Sequence, residues 1–221
     1  MGPRSYSSAA RDDAAEKTRA RIVAAATKLL LSKRGAAGFS LEAVARAAGV
    51  TRLTVYNHFG ARRALLEAVF DDTARRGGLF RIGDALSDPD PAKGLSRLIA
   101  IFCEFWRSHE QAIFRLLAAG ALDPEFAESI RARNARRRHA IAVLVARIAG
   151  NAKKKSSHGG DLVDTLFALT SHAFFSELTS SGRTAESACA IIEQLARDAL
   201  DRTMASVSHT SAFANKSAVG E

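Results

Sequence analysis

Six side chains crowded between Thr51 and Phe59 share one chemical capability: Arg52, Leu53, Thr54, Tyr56, Asn57 and His58. An arginine fork pairs with the two acceptors on a guanine edge. An asparagine amide pairs with adenine, and Thr or Leu touches a thymine methyl. Tyrosine, histidine and serine reach phosphate oxygens. Any one of these residues alone reads as part of a solvated face. Gathered on one short segment, they read as a surface for a nucleic-acid duplex. Arg52, Thr54 and Asn57 are the expected base readers, with Leu53 as an apolar neighbour. Ser40, Tyr56, His58 and Arg62 are the expected phosphate contacts.

The flanking sequence predicts what positions them. Ser40 is placed to cap a helix, and Leu41, Val44 and Ala45 form the buried face of that helix. Gly49 follows Ala48 where a helix ends cheaply in the left-handed region. Val50 plugs the turn, Thr51 caps the next helix, and Val55 and Phe59 sit one turn apart on its inner side. Ala45 and Gly49 are both small, and bulk at either is expected to push the two helices apart. Gly60 breaks the second helix. Ala61 to Phe70 begins another, with Leu65, Leu66 and Val69 inward. Arg62 lies in its first turn, where a cation opposes the helix dipole unless an anion is close. Upstream, Ala14 to Ser32 reads as a supporting helix with Ile22, Ala26, Leu29 and Leu30 as its apolar stripe. A plain helical hairpin is the competing reading of the central pair.

The same residues resemble the DNA-binding domain of the TetR family of bacterial transcriptional regulators. Phe39-Ser40, Ala48-Gly49-Val50, Thr54-Val55-Tyr56-Asn57-His58-Phe59, and Arg62 with Leu65-Leu66 fall on the pattern of that family. Leu53 stands where the family often has glycine, and Arg62 where it usually has lysine. The resemblance implies an all-α fold: an N-terminal three-helix helix-turn-helix domain joined by a connecting helix to a C-terminal helical ligand-binding and dimerisation domain. It implies a cytoplasmic repressor that binds an inverted repeat of double-stranded DNA as a homodimer and is released by a small-molecule effector.

Charge agrees with a polyanionic partner. The 221 residues carry a net charge of +9. Of this, +6 falls within residues 1–75, where 13 Lys and Arg meet 7 Asp and Glu. Cys103 and Cys189 follow no metal spacing, so reduced thiols are expected. No apolar run approaches the roughly 20 residues of a membrane span. There is no phosphate loop, paired-histidine motif or nucleophile motif, and neither enzymatic activity, a cofactor nor a metal is expected.

Residues 1–13 read as a disordered, Ser- and Arg-rich arm, residues 14–72 as the DNA-binding domain, 73–204 as the effector and dimerisation domain, and 205–221 as a disordered tail. The stretch from Arg81 to Pro91 reads as a loop. Helices are expected over Pro91–His109, Gln111–Ala121, Asp123–Ala149, Asp161–Ser180 and Ala185–Met204, with a basic flexible loop from Gly150 to Gly160. In the resembled family the last two helices form the dimer interface, where Ala168, Ala173, Ala188 and Ala199 permit close approach. The effector pocket is expected among Phe102, Phe105, Trp106, His109, Phe114, His139, Phe167, His172 and Phe175, with Phe126 and Phe174 as further apolar candidates. Core or interface packing is the competing role for each. The five arginines of Arg131–Arg138 read as a solvated helix face, with a second nucleic-acid patch as the alternative. An activator or architectural DNA-binding protein without effector is the alternative for the whole chain.

Overall fold

The computed structural model describes residues 5–150 and 157–217. Among them it contains ten α-helices, two short 3-10 segments and no strand. The helices are α1 (Ser5–Leu31), α2 (Leu41–Ala48), α3 (Arg52–Phe59), α4 (Arg62–Arg76) and α5 (Ile82–Leu86), followed by α6 (Pro91–Ala121), α7 (Pro124–Ala149), α8 (Ser157–Leu169), α9 (His172–Ser180) and α10 (Ala185–Ser217). No described helix is long and apolar enough to cross a membrane.

The chain divides into two compact units. The first is Met1–Arg76 with Gln111–Arg131, and the second is Gly77–Glu110 with Ala132–Glu221. The first therefore takes in the end of α6 and the start of α7, a non-local addition to the helices expected there. Its core is Ile22, Ala26 and Leu30 of α1, Val44 and Ala45 of α2, Val55 and Phe59 of α3, and Leu65, Leu66 and Val69 of α4. These are the apolar positions set by the helical period, so the sequence pattern and the packing agree.

Local chemistry fixes the ends of α2 and α3. Ser40 Oγ accepts from the Ala43 N–H at 3.1 Å, and Thr51 Oγ1 accepts from the Thr54 N–H at 3.1 Å. Gly49 ends α2 at φ 64°, ψ 39°, and the Val50 N–H closes the turn on the Ala45 carbonyl at 3.0 Å. One expectation is corrected here. A Cβ built on Gly49 meets nothing within 4 Å, so this glycine is needed for its positive φ and not for close helix approach. Ala45, 3% exposed, is the residue at the tight contact. Gly49→Ala is expected to cost about 1–2 kcal/mol, the penalty of a side chain in the left-handed region, with Gly49→Asn costing less. Urea unfolding checks this, and an unshifted midpoint for Gly49→Ala would contradict it.

Several boundaries differ from expectation. Helix α1 starts at Ser5 instead of Ala14, and α10 continues to Ser217 instead of ending at Met204. Neither added stretch contains a glycine or proline to stop a helix. Residues 1–4 of the expected arm and 218–221 of the expected tail lie outside the described residues. The stretch read as a loop before Pro91 holds α5. The two helices expected on either side of Glu110 are one, α6, kinked at His109, whose φ is −132°. The single helix expected over Asp161–Ser180 is two. Thr170 and Ser171 interrupt it, and Ser171 Oγ accepts from the Phe174 N–H at 3.1 Å to cap α9. Of the flexible loop expected over 150–160, residues 151–156 lie outside the described residues and α8 begins at Ser157.

Candidate nucleic-acid interface

The caps present α3 with one face in the core and the other in solvent. Val55 is fully buried and Phe59 is 8% exposed. Opposite them, Leu53 is 65% and Tyr56 57% exposed, and Arg52 and Asn57 are exposed beside them. Exposed apolar and aromatic side chains of this size are what a partner surface requires, because water gains nothing from them. Thr54 and His58 are half-buried at the margin. The Thr54 hydroxyl lies 2.8 Å from that of Thr51, so part of its hydrogen-bonding capacity is spent within the cap. Ser40 is exposed at the start of α2. Its oxygen is occupied as a cap acceptor, while its O–H remains a donor suited to phosphate.

Two residues that the sequence reading did not connect with this surface, Arg19 and the expected helix cap Asp123, hold it in place. Arg19 of α1 stacks its guanidinium 4.5 Å from the Phe59 ring centroid and donates to the His58 carbonyl at 3.3 Å. It pins the C-terminal end of α3 from below. The pairing has no signal in sequence beyond a cation in the stripe-flanking part of α1.

Asp123 is the second. Its carboxylate takes the Arg62 Nη1 at 2.7 Å and also caps α7 by accepting from the Phe126 N–H at 3.0 Å. Arg62 further donates to the carbonyls of Phe39 at 3.2 Å and Ala36 at 3.4 Å, and lies over the Phe39 ring. The anion that a cation in the first turn of α4 calls for is thus an internal carboxylate. Arg62 fastens the entry to α2 and the start of α4 to the α6–α7 corner, all within the first unit.

The residues expected to line a pocket divide. Phe114 and Phe126 belong to the first unit, Phe114 being 57% exposed and Phe126 fully buried. His139 is exposed and Phe175 fully buried, while Phe174 is half-buried. The others converge in the second unit. Trp106 lies 5.9 Å from Phe102, 4.8 Å from Phe105 and 5.5 Å from His172, centroid to centroid, and Phe105 is 5.7 Å from His109. Trp106 donates its indole N–H to the Thr170 carbonyl at 3.1 Å. Gly77 backs onto Phe105 and His109 so closely that a Cβ there would lie 2.3 Å from the Phe105 ring.

Phe167 joins the cluster through Arg137, whose guanidinium sits 4.0 Å from its ring centroid. Arg137 corrects the reading of the arginine run. Arg131, Arg136 and Arg138 are exposed as a solvated face requires, but Arg137 is only 7% exposed. Its position in line with Ile141 and Leu144 was the available signal, since these lie on one stripe of α7.

A separate cavity of about 390 Å³ lies between α6 and α10, lined by Leu95, Ile99, Ala100, Glu193, Ala196 and Arg197 among others. None of the expected lining residues borders it. Among the described residues no group of three or more His, Cys, Asp or Glu is placed to hold a metal.

Burial lowers the pKa of His172, opposed by the charge and a backbone hydrogen bond of Glu110. Above the ordinary value of 6.5 the imidazole is neutral in both folded and unfolded chain. Below it the unfolded chain takes up the proton first, so stability is lost as the pH falls. The thermal midpoint is expected to drop between pH 7 and pH 5, and less so in His172→Phe. A midpoint equally pH-sensitive in that variant would contradict the assignment.

A capped helix pair that turns a polar and aromatic face outward from a core shared by α1 to α4 defines a helix-turn-helix domain. Residues 22–69, from α1 into α4, match the model of bacterial regulatory proteins of the tetR family. That segment of the chain is therefore a helix-turn-helix of the tetR type.

Solved structures share the fold. A protein described as a TetR-family transcriptional regulator from Mesorhizobium loti MAFF303099 aligns with a TM-score of 0.59 at 20% identity, over 86% of this chain and 96% of its own. A TetR-like regulator from Rhodococcus sp. RHA1 gives 0.59 at 22%, over 83% and 96%. The multidrug-binding protein EbrR, in complex with imidazole, gives 0.51 at 22%, over 80% and 93%. No curated relative matches the chain in sequence.

Proposed function

We propose that this regulator is a repressor that binds an inverted-repeat operator as a homodimer and leaves it when a small molecule occupies the second unit. The observation that carries the reading is the exposed face of α3. Arg52, Thr54 and Asn57 are assigned to base edges, Leu53 to a thymine methyl, and Ser40, Tyr56 and His58 to phosphates. Arg62, anchored on Asp123, fixes the register of α4 and keeps N–H donors to spare for a phosphate.

Dimerisation follows from the size of the reader. One helix of this length spans a few base pairs, and two related by a two-fold axis, about 34–36 Å apart, read a palindrome in successive major grooves. The last helices offer a face for self-association. Ala168 and Ala173 are exposed there and Leu195 is 38% exposed, whereas Ala188 and Ala199, expected at the same interface, are buried within the protomer. The ligand response is supported by the aromatic cluster around Trp106 and by the fold shared with EbrR, a protein described as multidrug-binding. An effector that favours the state with mis-spaced recognition helices releases DNA by the difference in its affinity for the two states. As a bacterial regulator it acts in the cytoplasm.

Sedimentation of the purified protein, alone and with operator duplex, tests the assembly. A dimer at micromolar concentration, taking up one inverted repeat, is the expected result. A monomer that binds a single half-site as tightly as the full repeat would overturn the dimeric reading.

A further inference from the structure

Arg137 is the only Lys or Arg side chain buried among the described residues. It donates to the Phe167 carbonyl at 2.8 Å and the Thr170 hydroxyl at 2.7 Å, with the Asn134 side-chain oxygen at 3.5 Å. The rings of Phe167 and Phe102 flank it at 4.0 and 5.8 Å. No carboxylate compensates its charge: burial alone acts on it, pushing its pKa down to about 10, and its Nε has no hydrogen-bond partner. A buried cation without a counter-ion is costly, and folds that retain one without need of it are readily improved by an apolar replacement.

A second orphan lies in the same cluster. His172 is 8% exposed, packs edge-on against Trp106, and its Nε2 has no partner. The two groups are linked through Thr170, which receives Arg137 on its hydroxyl and Trp106 on its carbonyl, two residues before His172. A guanidinium with an N–H to spare and an imidazole with a free nitrogen, walled by three aromatic rings, is a chemistry complementary to one group above others. A carboxylate supplies the missing negative charge and accepts in the plane of the fork, and the rings suit an apolar body attached to it.

We infer that the second unit carries a receptor for an organic carboxylate, with Arg137 and His172 holding the head and Phe102, Trp106 and Phe167 the apolar body. The inference rests on the effector reading above and names the chemical class of the effector. Phe167 is half-buried, so the guanidinium lies beneath a ring that solvent partly reaches. Pairing with the ligand draws Arg137 from the Phe167 carbonyl and the Thr170 hydroxyl. Phe167 lies in the last turn of α8 and Thr170 at the break before α9, so occupancy loosens the joint within the helices assigned to dimerisation.

Trp106 is the single tryptophan of the chain and reports directly on the cluster. The test titrates the full-length protein with benzoate, phenylacetate and octanoate, each beside its primary amide, following Trp106 emission and release of operator DNA. At least one acid is expected to bind saturably and about tenfold or more tightly than its amide, as a charge-assisted pair requires. Arg137→Gln is expected to abolish that preference, and Arg137→Lys to weaken it.

Equal binding of acid and amide by the wild-type protein overturns the inference, and that comparison needs no variant to fold. So does an acid preference that survives in Arg137→Gln, or the failure of every acid to bind at millimolar concentration. A purely structural Arg137 would lower the unfolding midpoint of its variants and leave the acid-to-amide ratio near one. The effector reading fails separately: if uncharged or cationic compounds release the operator from Arg137→Gln as from wild type, it stands while the carboxylate is lost. If no compound of any charge releases it, both fall.

Discussion

Phe59→Ala is expected to destabilise the first unit by about 3–5 kcal/mol, the usual range for emptying a buried phenylalanine site. Phe59 is 8% exposed at the end of α3 and is one of two residues, with fully buried Val55, that fix this helix to the core. Removing the ring also leaves the Arg19 guanidinium without the face it rests on at 4.5 Å. Because α3 spans only Arg52–Phe59, it has too few turns to persist without that packing. DNA binding should therefore fall along with stability, and Phe59→Leu should recover much of both. Chemical denaturation with paired DNA titrations reads this directly. A loss below about 1 kcal/mol, typical of surface positions, would show that α3 is held by something other than its inner face.

Arg52→Ala and Asn57→Ala are expected to weaken binding to the cognate duplex by about 1–3 kcal/mol each, and to relax selection at one base position each. Both side chains stand clear of the protein surface, so neither substitution should move the unfolding midpoint. The two differ on random DNA. Arg52 carries charge, and its loss also reduces non-specific affinity and the slope of binding against salt. Asn57 is neutral, so its loss should leave random-sequence binding unchanged. Equal losses on cognate and random duplexes for Asn57→Ala would remove it from the base readers.

The parts of the fold legible in the sequence are those written in local chemistry. Ser40, Gly49, Thr51 and Gly60 bound α2 and α3 because capping oxygens and positive-φ glycines act over three or four residues. The apolar spacing of Val44, Val55, Leu65 and Leu66 then fixes which faces turn inward. What escaped the sequence is non-local or depends on a neighbour's shape. The Arg62–Asp123 ion pair joins residues 61 apart in the chain. Arg19 is read as a surface cation until Phe59 is beneath it. Arg137 hides in a run of exposed arginines, because periodicity places it in a stripe without saying that a charge is tolerated there. The break at Thr170–Ser171 turns on a serine that caps, in a stretch otherwise apolar enough to continue as one helix.

Selection of bound duplexes from a random pool by the purified full-length protein, at physiological salt, tests the central claim most directly. A single inverted repeat, with half-sites about one helical turn apart, is the predicted product, and the Arg52→Ala and Asn57→Ala variants should each blur one position within it. Recovery of no motif, with binding that vanishes as salt rises, would contradict the account. The net charge would then be the binding determinant and α3 would not be a reader of sequence.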